Sequence, residues 1–173
     1  MLSVALRGDI PLAIKLEDLD TAFVWQACSD ESKEKIIKFW RDTRFVDDAN
    51  ERKRRVNEVT AVAFHGEDVV GVSSVYVDTL IRNDLFFGFF RAALLPAYQQ
   101  ILLSRKLYEV TFDGLSAWVE DRPRPRMCGI ASVFENKVYE QSPLPVRSTG
   151  ASLVGFSALG QPTFVKWFDH ARY

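Results

Sequence analysis

Cysteine, histidine and net charge are all scarce in this chain, and each scarcity closes off a class of function. Cys28 and Cys128 are its two cysteines, a hundred residues apart with no CxxC spacing. Neither a disulfide framework nor a zinc site is expected, and two buried free thiols in a reducing cytoplasm are the plain reading. His65 and His170 are the two histidines. Neither has the i, i+4 partner that a helical metal site needs, so no metal is expected. Twenty-two basic against 23 acidic residues leave a net charge of -1. That balance offers no broad field for nucleic acid, an acidic membrane surface or a strongly charged partner.

Long hydrophobic runs are missing as well. The longest apolar stretch, residues 85 to 103, is interrupted by Arg91 and Pro96. It falls short of the roughly 20 clean residues that span a bilayer, so it reads as core. At the start, MLSVALRGDIP is broken by Arg7, Asp9 and Pro11, which leaves no signal-peptide core and points to the cytosol. Internal repeats and low-complexity linkers are lacking too. Two catalytic signatures fail by a residue or so. GASLVGF has Phe156 where a phosphate-binding loop needs lysine, and in GFSALG the second glycine, Gly160, lies one position too far from Ser157 for a nucleophile elbow.

What is present suits one compact domain over residues 1–173, since 47% of the chain is hydrophobic. Residues 31 to 46 carry Ile36, Ile37 and Trp40 at helical spacing, with Ser29 or Asp30 available as an N-cap. The dense basic cluster that follows, Arg52 to Arg55, has no interleaved aromatics to stack on bases and reads as a solvated helix end or loop. From residue 59 the period becomes strand-like. TAVAF and VVGVSSVYV flank a His-Gly turn and predict a hairpin. LFFGFFRAALL is apolar on both faces and predicts a central strand that ends at Pro96.

Residues 99 to 119 present a broad apolar face, with Leu103, Leu107, Val110 and Trp118 beside Tyr108, Phe112, Leu115 and Val119. A helix lying on a sheet is expected there. MCGIASVFEN predicts the next strand, which makes a βαβ crossover over residues 85 to 135. SLVGFSALGQPTFVKWF predicts a closing hairpin around Leu159-Gly160. The apolar edge of that hairpin, PTFVKWF, is a candidate for pairing or packing with a second copy. The fold class is therefore α/β or α+β, a mixed, mostly antiparallel sheet flanked by helices.

At the strand-to-helix junction the sequence resembles a known family. Pro96, Tyr98, Gln99, Gln100, Leu103, Ser104 and Leu107 lie in register with the coenzyme A signature of the GNAT superfamily of N-acetyltransferases. The flanking hairpins extend the likeness over roughly residues 55 to 170. The resemblance implies acetyl-CoA as cofactor, held through Leu94, Leu95, Gln99, Gln100, Leu102, Leu103, Ser104 and Arg105, with Asn136 further along and Lys106 adding charge. The physical basis of such a loop is an anion site made of unpaired N–H groups at a helix start.

The chain departs from the signature at Leu102, which stands where the family has glycine, and at Gln99 and Gln100, where many relatives have arginine. The resemblance also implies Tyr139 as the acid for the leaving thiolate and a carboxylate near the central strand as base. Arg91 occupies that strand, which leaves Asp84, with Asp78 and Glu58 as substitutes. Two functions follow: an acyl-CoA-dependent N-acyltransferase acting on a small-molecule or protein amine, or a GNAT-fold protein that has lost catalysis and serves as a binding module, with a homodimer as one form. Which amine is accepted is not written in the sequence, because acceptor loops at 41 to 58 and 140 to 152 follow no motif.

Overall fold

The computed structural model describes residues 14–122, 127–133 and 149–172. Seven strands form one sheet: β1 (Asp20–Phe23), β2 (Val59–His65), β3 (Asp68–Leu80), β4 (Arg82–Leu94), β5 (Met127–Val133), β6 (Ser152–Phe156) and β7 (Pro162–Trp167). Their order across the sheet is β1-β2-β3-β4-β5-β7-β6. Every neighbouring pair is antiparallel except β4 and β5, which are parallel and joined by the crossover helix α3 (Leu103–Glu120).

The local reasons for these elements are visible in the sequence. The β2–β3 hairpin turns at Gly66, whose φ of +61° is open to glycine at little cost. Helix α1 (Asp30–Thr43) starts at Ser29, whose hydroxyl accepts from the Ser32 N–H at 3.2 Å, and buries Ile36, Phe39 and Trp40. Helix α2 (Ala49–Arg55) is capped by Asp48, which accepts from the Glu51 N–H at 2.7 Å. On α3, Leu103, Leu107, Tyr108, Thr111, Phe112, Leu115 and Val119 are buried, while Val110 and Trp118, expected on the same side, are half-buried.

Helix α1 packs on one face of the first half of the sheet, and α3 packs on the other. Trp40, Val56, Val62 and Val72 make the core on the α1 side. Ala61, Ala63, Val70, Leu103 and Leu107 make it on the α3 side. Each fully buried Leu, Val or Phe contributes about 1.5–3 kcal/mol, so these two layers set the sheet firmly between the helices.

Three expectations need correction. A first strand, β1, precedes α1; its four residues pair with Ala61 to Phe64 and carry too little pattern to stand out. The strands expected at VVGVSSVYV and LFFGFFRAALL run further toward each other, because β3 reaches Leu80 and turns through Ile81 directly into β4, which starts at Arg82. PTFVKWF is not an edge: β7 is paired on both sides, with β5 and β6, so it offers no free strand to a second copy.

The parallel seam positions everything that follows. β4 pairs with β5 from Phe86↔Met127 to Phe89↔Ala131. Beyond it, β5 stays on β7 through Ser132 and Val133, while β4 stays on β3 through Leu94. Among the described residues the two strands pair no further, so residues 90–94 and 132–133 flank a gap in the sheet. Gly129 keeps β5 and β7 close below it, since a Cβ there would lie 2.3 Å from the Lys166 carbonyl oxygen.

Candidate active site

The chain leaves β4 at Leu94, which is buried, and Leu95, whose N–H donates to the Val70 carbonyl at 3.0 Å. A 3-10 turn, Pro96–Ile101, follows. Proline suits its first position, where no N–H is required. Tyr98 is buried beneath the turn, and its hydroxyl meets His65 Nδ1 at 2.8 Å across from the β2–β3 hairpin. Burial raises the Tyr98 pKa, with the Asp68 carboxylate adding to the effect. His65 is therefore an anchor for this turn.

Leu102 then takes φ +60° and ψ 23°, the left-handed conformation, and α3 begins at Leu103. A left-handed non-glycine residue costs about 1–2 kcal/mol. It persists here because its neighbours fix it on both sides. Tyr98 is tied to His65, and Leu103 is fully buried where Gly71 leaves room for it. Leu102 thus takes up a backbone form that glycine adopts most readily, while its side chain is 60% exposed and outside the core.

The first-turn amides of a helix have no intrahelical acceptor, and no side chain caps α3. A right-handed turn followed by one left-handed residue also points successive N–H groups into a common concavity. Together with the helix dipole, this makes the Leu102–Arg105 segment a fit for a phosphate group. Ser104 and Gln99 are exposed beside it. Arg105 is also exposed, though its guanidinium is paired with Glu109 at 2.8 Å, and Lys106 is half-buried.

The gap between β4 and β5 opens next to this loop. Phe90 does not fill it: the ring lies edge-on to Tyr108 of α3, with centroids 5.2 Å apart, within the core on that side. On the opposite face Tyr76 stacks on Phe89 at 4.9 Å, and the Arg91 guanidinium lies over the Tyr76 ring at 4.7 Å. Arg91 also donates to Glu58, which takes a second hydrogen bond from Arg54.

The carboxylates separate clearly by position. Asp84 is exposed at the start of β4 and chelated by Arg82, whose Nε lies 2.8 Å away. It precedes Phe89 by five residues, about 17 Å along a strand. Asp78 is exposed and accepts from the Thr79 N–H. Glu58 is the one brought beside residues 90–94, through Arg91. Tyr139 and Asn136 lie outside the described residues, as does most of the 140 to 152 loop.

Sequence reasoning missed the Glu58–Arg91 contact, which joins residues 33 apart in the chain. The available signal was the parity of Arg91 with Phe87 and Phe89, which puts it on one face of β4. It also treated Arg55 as part of a solvated cluster. Lys53 and Arg54 are indeed exposed, but Arg55 is half-buried against Trp40, 5.7 Å from the ring. Arg52 caps the Val46 and Asp47 carbonyls at 2.6 Å each. Cys28 is half-buried and Cys128 buried. No helix among the described residues is long and apolar enough to cross a membrane.

Neither the family models nor the curated proteins compared with the chain match it at the level of sequence. Solved structures do match its shape. A GNAT-family acetyltransferase from Streptococcus pneumoniae is 12% identical over 86% of this chain and 99% of its own, with a TM-score of 0.54. A ribosomal-protein alanine acetyltransferase from Vibrio fischeri is 12% identical over 94% of this chain and all of its own, at 0.59. A diaminobutyrate acetyltransferase from Paenibacillus lautus, solved with its substrate and coenzyme A, is 13% identical over 90% and 98%, at 0.50. The seven-stranded sheet, its parallel seam and the helices on its faces are those of the GNAT fold.

Proposed function

We propose that the protein is an acyl-CoA-dependent N-acyltransferase, using acetyl-CoA to acylate an amine. The observation that carries this reading is the left-handed Leu102 at the uncapped start of α3, next to the gap between β4 and β5. A strained backbone is kept where it builds an anion cradle, and the cradle lies where a coenzyme could reach the parted strands. The crystallised neighbour that binds coenzyme A supports the assignment, as does the register of Pro96 to Leu107.

In this reading the N–H groups of residues 102–105 bind the pyrophosphate, and Gln99, Gln100, Ser104 and Arg105 surround it. Leu94 and Leu95 bring the backbone of β4 to the cradle, and residues 90–94 present their free edge to the pantetheine arm together with Asn136. When bound, acetyl-CoA supplies an activated thioester. Tyr139 donates the proton that the leaving sulfur requires. The amine must lose a proton as it attacks, and Glu58 is better placed to receive it, directly or through water, than Asp84. Arg91 and Arg54 hold the Glu58 carboxylate in a fixed orientation.

That same double engagement supports a second reading. Both Glu58 oxygens are occupied by guanidiniums, which leaves the carboxylate no free face toward an amine, so the chain would bind coenzyme A or a partner without transferring an acyl group.

Isothermal titration with acetyl-CoA and with coenzyme A at low salt separates these readings from a fold that has lost the cofactor. Micromolar binding is expected, and absence of binding at millimolar ligand would sink the transferase and leave only a module that binds a partner. Where binding holds, turnover on a panel of amines distinguishes transferase from module. Tyr139→Phe should then slow turnover at least about tenfold, and an unchanged rate removes Tyr139 as the acid.

A further inference from the structure

Arg55 and Arg91 come from different elements, the end of α2 and the middle of β4, yet line one cavity of about 80 Å³. Trp40 and Val46 form its apolar wall and Ser74 its floor on β3. In each arginine the Nε is buried and has no hydrogen-bond acceptor. Arg91 is anchored by Glu58, but Arg55 makes no hydrogen bond or ion pair among the described residues, and its contact there is with the Trp40 ring. Burial, and after it the Arg91 charge, lower the Arg55 pKa, with the Glu51 and Glu58 carboxylates acting the other way.

A guanidinium has five donors and no acceptor, so two of them cannot satisfy one another. Half-burying a cation without a partner is unfavourable, and facing it toward a second cation adds repulsion. Glu58 offsets one of these charges and is already shared with Arg54. The missing component is one more anion, and the cavity has room for a group of that size beside the indole.

We infer that this cavity binds the anionic group of a small ligand, a carboxylate or a phosphate, between Arg55 and Arg91. Arg91 lies two residues past Phe89, the last β4 residue paired with β5, so the anion sits beside the gap on the α1 face of the sheet. Resting on the acyltransferase reading, that ligand is the amine acceptor, whose anionic end is held here while its amino group reaches the parted strands.

The test is thermal unfolding in sodium acetate and, separately, in inorganic phosphate at constant ionic strength, for the wild type, Arg55→Gln, Arg55→Met and Arg105→Gln. Wild type and Arg105→Gln should gain Tm saturably, while both Arg55 variants should lose at least tenfold in apparent affinity. Without added anion, the Arg55 variants should melt no lower than the wild type; an arginine with a purely structural role would melt lower when removed. A response to acetate alone that the Arg55 variants lose assigns a carboxylate ligand to the cavity, and a response to phosphate that they lose assigns a phosphate ligand. Equal responses in wild type and the Arg55 variants, or no saturable response to either anion, would overturn the inference. Coenzyme A titration of the same proteins is independent of this. An intact anion response without coenzyme A binding removes the acyltransferase reading and leaves the cavity assignment standing.

Discussion

Ser73 and Ser74 are neighbours on β3, and they face two polar clusters of opposite kinds. Ser73 points toward α3, where its hydroxyl, that of Thr60 and that of Thr111 lie within 2.9–3.1 Å of one another, all buried. Hydroxyls both donate and accept, so three of them close a neutral network that needs nothing from outside. Ser74 lines the cavity on the α1 side with Arg55 and Arg91, which can only donate. The first cluster is a finished part of the core, and the second is complete only with an anion. Polar groups in an interior therefore differ in meaning according to whether their donors and acceptors balance.

The comparison can be broken from either side. Thr111→Val removes one hydroxyl of the three and opens the network, and should lower stability by about 2 kcal/mol, read as a shifted urea midpoint at unchanged slope. Arg55→Met replaces an unpartnered half-buried cation by an apolar chain, and should raise stability in anion-free buffer by about 1 kcal/mol, less whatever the contact with Trp40 contributes. Opposite signs at these two sites are the result that the contrast requires; a loss at Arg55 as large as that at Thr111 would erase it.

Tyr108 sharpens the same point with a single group. Its hydroxyl is buried on the α3 side with no hydrogen-bond partner among the described residues, and burial pushes its pKa far above the ordinary tyrosine value. The folded state thus favours the neutral phenol. That contribution is full below the unfolded pKa of about 10 and is lost as pH rises above it. Tyr108→Phe should be neutral or stabilising by up to about 1 kcal/mol near pH 7, and should flatten the fall in stability above pH ~10. Denaturant midpoints across that range check both statements. The smallest effect is expected at Leu102→Gly, where relief of the left-handed strain is offset by the freedom glycine has in the unfolded chain. Stability should change by about 0.5 kcal/mol or less, with coenzyme A binding equal or tighter.

How much of this was legible in the sequence depended on distance along the chain. The Ser29 cap, the Gly66 hairpin and the α3 face are local patterns, and they place their elements correctly. β1 was missed because four residues with alternating exposure gain their strand form from β2, nearly 40 residues away. The β3–β4 turn was missed because Ile81 carries a φ of +72°, at a position where a turn signal would have been glycine or asparagine. At the candidate site, the signature register drew attention to the turn that ends in the left-handed Leu102. What Leu102 does there could not be read, since the outcome rests on the Tyr98–His65 contact and on Leu103 packing against Gly71. Arg55 and Arg91 were each visible as charges, but only the folded sheet brings them to one cavity.

The seam between β4 and β5 has a mechanical consequence. The strands from β2 to β4 are linked by tight turns, whereas β5, β7 and β6 are attached to them through a run of paired residues from Phe86 to Phe89 and a helical crossover. Among the described residues, four paired positions along that line hold the three strands beyond it. Under native conditions the amides of β5, β6 and β7 should exchange with solvent as one cooperative unit, ahead of those in β2 and β3. A ligand bridging the parted strands would act as a clamp across that line and slow the exchange of the whole terminal unit, including amides it never touches.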